Sequence, residues 1–192
     1  MSKSTLTTDF SKRRYECILV DPPWHWRPWS NKGAGRSASN HYDTMTPEEM
    51  RAMRLPAADS CALFMWVVDS MLPDALRLIN AWDFKFKTVV FTWVKTNGKQ
   101  NSLFYDEPGT STGMGYWTRK NCEMVLLATR GKPHRTSKSV KQTIFSNRRE
   151  HSRKPLEIYE RIEALVPGPR LEMFARHIRP GWDSFGDQLG KF

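Results

Sequence analysis

Apolar residues arrive along this chain in short runs, and the spacing within and between those runs predicts its elements. Residues 15–20, "YECILV", are apolar except for one glutamate and read as a short buried strand. "ALFMWVV" (62–68) is apolar throughout, and "FKTVVFTWV" (86–94) is long and rich in β-branched and aromatic residues. "EMVLLAT" (123–129) and "RLEMFA" (170–175) read as two further strands. Helical spacing appears between them. "TPEEMRAM" opens a helix with Thr46 as N-cap, Pro47 in the first turn and Glu49 completing a capping box. Leu72, Ala75, Leu76 and Ile79 share one helical face in a segment ending near Trp82. Ile158, Ile162 and Leu165 do the same in a helix that begins at Pro155 and is stopped by Pro167-Gly168.

Near-continuous apolar strands separated by helices imply an α/β class with a mostly parallel sheet covered by helices on both faces. The pattern predicts a flexible N-terminal tail over 1–14 and a single domain over 15–192, interrupted by long loops at about 25–42, 97–117 and 130–153. Loops of that length are uncommon in compact domains and tend to carry function. Composition narrows the setting. No apolar run approaches the roughly 18 residues a membrane span needs, and "MSKSTLTTDFSKRR" lacks an apolar leader core, so a cytoplasmic protein is expected. Cys17, Cys61 and Cys122 sit in or beside apolar stretches without metal-site spacing and read as buried free thiols, with no metal indicated.

Charge changes the picture further. The chain carries 30 Lys+Arg against 20 Asp+Glu, a net +10, and the excess is concentrated. Nine basic residues between 130 and 154 (among them Arg135, Lys138, Lys141, Arg148 and Arg149) face one acid, Glu150, giving 9 − 1 = +8. A basic stripe of this kind is the footprint of a polyanionic partner, here nucleic acid.

The chemistry is most concentrated in "DPPW", Asp21-Pro22-Pro23-Trp24, which follows the first strand. Ligands of open α/β sheets bind outside the carboxyl ends of the strands, where Asp21 falls. Two prolines fix φ and remove two N–H donors, leaving a rigid turn of acceptors beside the flat face of Trp24. Such a turn suits a planar group bearing an exocyclic NH₂. Acceptors on both hydrogens free the nitrogen's electron density, and Asp21 stabilises the positive charge that develops as the nitrogen is alkylated. The same residue pattern also occurs as a plain strand-capping turn, and acceptor chemistry alone does not separate adenine N6 from cytosine N4.

"DPPW" resembles the adenine-N6 methyltransferases of the MT-A70 family, and the similarity continues through "YDTMTPEEM", "LFMWV", "WVKT", "GYWTRKNCEMVLLATRGKP", "REHSRKPLEIYERIEAL", "RLEMFAR" and "GWDSFGDQ" in the family's order, covering roughly 15–190. The short form with "REHSRKP" looks most like the bacterial and phage branch. The resemblance implies a Rossmann-like S-adenosylmethionine-dependent methyltransferase fold in permuted order, with the catalytic loop before the cofactor segment. It implies transfer of a methyl group to adenine N6 in nucleic acid, DNA more than RNA. By position, Asp21, Pro22, Pro23 and Trp24 bind and activate the target amino group, and Tyr42 lies near target and cofactor. Lys154 is expected at the cofactor's carboxylate, with Arg176, Asp187 and Gln188 on its ribose and adenine side and His177 as a further cofactor-binding residue. Asp187 stands where the family often has Asn, and so lacks that amide donor.

Glycine-rich "GTSTGMGYWTRKN" adds Tyr116, Trp117, Arg119 and Lys120 as target contacts: cations for phosphates, and an aromatic for the space left when a base is flipped. "GAGRSA" (33–38) matches a dinucleotide-binding pattern but lacks the strand-to-helix context it needs, and reads as a loop over the site. Trp66, Trp93 and Trp182 read as core. The alternatives are a catalytically silent nucleic-acid-binding or partner subunit on the same fold, or an RNA adenine or cytosine-N4 methyltransferase. Recognition of the target sequence falls to the loops, a second copy or a second subunit.

Overall fold

The computed structural model describes residues 13–24, 44–100, 108–113, 115–150 and 153–190. Within them eight strands form one sheet: β1 (Tyr15–Val20), β2 (Ala57–Val67), β3 (Lys85–Gln100), β4 (Pro108–Thr110), β5 (Cys122–Arg130), β6 (Thr143–Asn147), β7 (Arg170–Met173) and β8 (Asp183–Phe185). The helices are α1 (Pro47–Ala52), α2 (Leu72–Ala81) and α3 (Glu157–Leu165). The order across the sheet is β4-β3-β5-β2-β1-β7-β8, with β6 continuing the outer side of β3.

Direction follows from the connections. β1 is paired in parallel with β2 and β7, and β7 with β8. Among the described residues no helix lies between β3 and β5, and β5 runs antiparallel to both β3 and β2. The expected α/β fold is therefore present, its parallel half centred on β1. β3 extends to Gln100, and β4 and β6 fall within 97–117 and 130–153, so parts of those stretches belong to the sheet rather than to loops.

Alternate side chains of each strand enter opposite cores. Ile18, Val20, Leu63 and Met65 pack beneath α1 and α2 with Met50, Ala75, Leu78 and Ile79. Cys17, Leu19, Phe64 and Trp66 pack beneath α3 with Ile158, Tyr159 and Ile162. Helices therefore cover both faces, as the apolar runs predict. Trp66, Trp93 and Trp182 are core residues, 2 %, 3 % and 6 % exposed. Cys17 and Cys61 are buried free thiols, while Cys122 is half-buried. The Thr46–Glu49 capping box is formed: Glu49 N–H donates to Thr46 Oγ1 at 3.2 Å and Thr46 N–H to Glu49 Oε2 at 2.8 Å. No described helix is long and apolar enough to cross a membrane.

Candidate active site

The carboxyl ends of β1, β2 and β7 form a rim, and the start of antiparallel β5 reaches the same level. Asp21 is the first residue beyond β1 at that rim. The two prolines turn the chain as expected, but their carbonyls are already engaged: Trp24 N–H donates to Pro22 O at 2.8 Å and Met45 N–H to Pro23 O at 3.0 Å. Trp24 is also not the open stacking platform expected from sequence. It is 8 % exposed and packs with the α1–α2 core, because its backbone bridges to Met45 and draws the indole inward. Its buried Nε1 has no partner among the described residues. The Asp21 carboxylate is what the turn presents outward.

Asp21 ends a line of alternating charges. Its Oδ2 lies 3.2 Å from Lys154 Nζ, which lies 2.9 Å from Glu123 Oε2; Glu123 Oε1 lies 2.5 Å from Lys95 Nζ. Lys154 Nζ sits 5.1 Å over the Trp66 ring and Lys95 Nζ 5.0 Å over Trp93, two indoles that meet edge to face. Burial alone would raise the Glu123 carboxyl, but Lys154 and Lys95 override it and hold it at about 2. Burial would lower the Lys154 ammonium, but Asp21 and Glu123 more than offset this and raise it. Lys154 therefore stays cationic between two carboxylates. Sequence reading missed Glu123 and Lys95. The available signal was a charge near the start of an otherwise apolar strand; in the sheet it lies opposite Trp93 and diagonal to Lys95.

A pocket opens beside Asp21, lined by Lys154, Tyr159, Glu172, Phe174, Arg176 and His177, with Arg153 and Leu156 at α3. Tyr159 Oη donates to both oxygens of Glu172, at 3.0 and 3.1 Å. Burial raises the Glu172 carboxyl; the Tyr159 hydroxyl opposes this and the Asp21 charge adds to it, bringing Glu172 to about 7. Phe174, directly after β7, has φ 60°, a left-handed conformation that bulky residues rarely adopt and that turns the chain into the pocket wall. His177 packs edge to face on Tyr159 at 5.3 Å, and its buried Nε2 has no partner among the described residues. Burial, then Arg153, Arg179 and Arg149, lower the imidazole below its ordinary value. Tyr159, Glu172 and Phe174 were also missed from sequence. The pocket's mixture of two carboxylates, basic side chains and an aromatic wall fits a ligand with carboxylate, amino, sulfonium and ribose groups.

The other expected residues separate. Asp187 and Gln188 follow β8 at the same rim, two strands from Asp21, and do not line the pocket. Gly186, just before them, lies so close to the Ala175 carbonyl that a Cβ there would collide with it. Tyr116 and Trp117 stand at the tip of a hairpin closed by the Gly113–Lys120 bridge, 76 % and 93 % exposed. Arg119 is exposed on the same hairpin, while Lys120 pairs with Asp69, just beyond β2. The basic stripe does not gather at Asp21. Arg149 caps the Lys154 carbonyl at 2.8 Å, with Arg148 beside it, but Arg135 and Lys138 lie toward the opposite end of the sheet and Lys141 between. Tyr42 and the 33–38 segment lie outside the described residues.

Comparison with known proteins bears on the same span. The MT-A70 family model matches residues 15–188. The Type II methyltransferase M.MunI of Mycoplasma sp is 30 % identical over 93 % of this chain and 79 % of its own length. A putative N(6)-adenosine-methyltransferase MT-A70-like protein of Medicago truncatula is 32 % identical over 92 % of this chain, and the human N(6)-adenosine-methyltransferase catalytic subunit METTL3 is 30 % identical over 92 %. The chain spans only 26 % and 28 % of those two proteins. With a family model covering nearly the whole described fold and a Mycoplasma relative matched along most of both chains, the chain belongs to the MT-A70 family.

Proposed function

We propose that this chain is an S-adenosylmethionine-dependent methyltransferase acting on adenine N6 in nucleic acid, with DNA favoured over RNA. The observation that carries the proposal is Asp21 at the carboxyl end of β1, ion-paired to Lys154 and facing a pocket walled by Tyr159, Glu172, Arg176 and His177. The relatives support it: two carry N(6)-adenosine-methyltransferase in their names, and the Type II methyltransferase shares most of its length with this chain. Preference for DNA rests on "REHSRKP", the segment most like the bacterial and phage branch.

Bound in the pocket, S-adenosylmethionine supplies an electrophilic methyl group for in-line transfer. Lys154 and His177 would hold its amino-acid end, and Arg176 its ribose, with Asp187 and Gln188 at the outer rim. Asp21 accepts a hydrogen bond from the target amino group and stabilises the positive charge that grows on nitrogen as it is alkylated. Lys154, fixed by Glu123, keeps the Asp21 carboxylate in place. The buried Trp24 closes the inner side of the turn. Tyr116, Trp117, Arg119 and Lys120 meet the nucleic acid at the rim, where an aromatic side chain fills the gap left by a flipped base.

The test is transfer from labelled S-adenosylmethionine to unmethylated DNA and, separately, RNA, followed by nucleoside digestion and mass spectrometry. N6-methyladenine should appear with the native chain and fall by at least about 100-fold with Asp21→Ala. Absence of both product and cofactor binding would overturn the proposal.

A further inference from the structure

The segment after β5 has a geometry that the reaction does not require. It begins at the foot of the sheet, where Arg130 is level with Cys61, and β6 ends it at the rim. Between these points it has almost no regular structure, yet it is pinned repeatedly. Arg130 Nη2 donates to Trp82 O at 2.6 Å, and Lys132 N–H donates to Ser60 Oγ at 3.2 Å. Thr136 bonds the last carbonyls of α3 through N–H to Leu165 O at 2.9 Å and through Oγ1 to Ala164 O at 2.6 Å. Higher on the flank, Val140 packs into the α3 core, the Lys141 carbonyl accepts from Arg161, and Gln142 O accepts from Thr92 N–H at 3.2 Å. The backbone and the small side chains hold the segment down, leaving Lys132, Arg135, Lys138, Lys141 and Arg148 exposed in ascending order.

None of these five forms an ion pair with a described residue. Two acids on adjacent α3 are taken already: Glu157 by Arg161 at 2.6 Å, and Glu163 by Arg179 and Trp182. No Asp or Glu occurs between 131 and 149. Like charges fixed in a row repel one another until a polyanion neutralises them. From the level of Cys61 to that of Val67 is six strand residues, roughly 20 Å at about 3.3 Å each, or roughly six base pairs of duplex at 3.4 Å per strand phosphate.

We infer that residues 130–149 form a cationic rail that carries the phosphates on one side of the target adenine, so that the nucleic acid leaves the site along the α3 flank and its footprint is one-sided. This rests on the reading of the chain as a nucleic-acid methyltransferase. A row of exposed cations without an apolar anchor below β6 suits a phosphate backbone better than an acidic protein, whose interface would centre on buried aromatic or aliphatic contacts.

The test uses unmethylated duplexes bearing the target adenine, located first by mapping, with four or ten base pairs on each side in turn. Lengthening one flank should raise kcat/KM about tenfold or more, and lengthening the other should leave it within about threefold. Combining Lys132→Gln, Arg135→Gln and Lys138→Gln should abolish the gain from that flank and leave the shortest duplex unaffected. Removing the same charge from the α1–α2 side, with Arg51→Gln, Arg54→Gln and Arg77→Gln, should change neither. A second arm needs no turnover: the slope of log binding constant against log salt on a 24-base-pair duplex should fall by about 2–3 in the rail variant. Equal gains from both flanks, equal losses on short and long duplexes, an unchanged salt slope, or displacement of the duplex by polyglutamate as effective as by unlabelled DNA would each overturn the rail. Absent methylation with a reduced salt slope would instead count against the enzyme reading alone.

Discussion

Asp21 and Lys154 are joined by 3.2 Å, but what holds them there is Glu123, a residue between two ammonium groups. Changing Glu123 to Gln leaves Lys95 and Lys154 facing each other with one negative partner fewer in a mostly buried site. Urea unfolding should record a loss of about 3–5 kcal/mol, the usual cost of breaking a buried pair from one side. The pH dependence has two signs. Glu123, held at about 2, contributes stability that is present above its ordinary pKa of 4.5 and lost as pH falls toward 2. Glu172, raised to about 7, contributes stability that is present below 4.5 and lost as pH rises through 7. The lowered His177 imidazole adds stability as pH rises over the same window, so between pH 4.5 and 8 the stability of Glu172→Gln should rise relative to that of the native chain; parallel curves would reject the Glu172 assignment. Asp21 stood out in the sequence as a strand end before two prolines, whereas Lys154 stood out only through the family resemblance of "REHSRKP". Glu123, Lys95, Tyr159 and Glu172 did not, because their roles exist only where β5, β3, α3 and β7 meet across distant parts of the chain.

The hairpin that carries Trp117 is an element held in a costly shape. Trp117 has φ 69° with its side chain almost wholly in water, and Gly115 lies where a Cβ would collide with the Thr118 carbonyl. A bulky residue in the left-handed region costs about 1–3 kcal/mol, and here no burial of its own side chain offsets it. Trp117→Gly should raise thermal stability while lowering methylation of a base-paired adenine more than that of a mispaired one, which is already easier to unstack. Equal effects on both substrates would show that the indole does not take part in base opening. At α1, Thr46→Ala should cost about 1 kcal/mol in a thermal or urea melt, since it removes the Oγ1 that accepts from Glu49 N–H and leaves only the backbone arm of the capping box. That cap was readable letter by letter. β6 was not: "TIFSN" lies within a strongly basic stretch and becomes a strand only because β3 offers it an outer edge at Thr92–Thr96.

Over the whole molecule, the two-faced α/β architecture was legible because alternate residues of β1 and β2 are apolar on both sides, as only a sheet covered twice requires. The reversal at β5 was not, since strand direction depends on how β5 pairs with β2 and β3 rather than on any strand's composition. The position of β1 has a consequence for how the protein is made. It is the first strand in sequence yet lies inside the sheet, and its second neighbour, β7, begins at Arg170. Until that stretch has been synthesised, "YECILV" has one unpaired side, and an apolar strand edge of that kind is a template for association with other chains. Every residue that lines the pocket except Asp21 also comes from 153–177. A nascent chain should therefore be vulnerable until β7 has been made and unable to hold a ligand until residue 177 has followed, with loop closure over some 150 residues making the pairing of β1 with β7 slow.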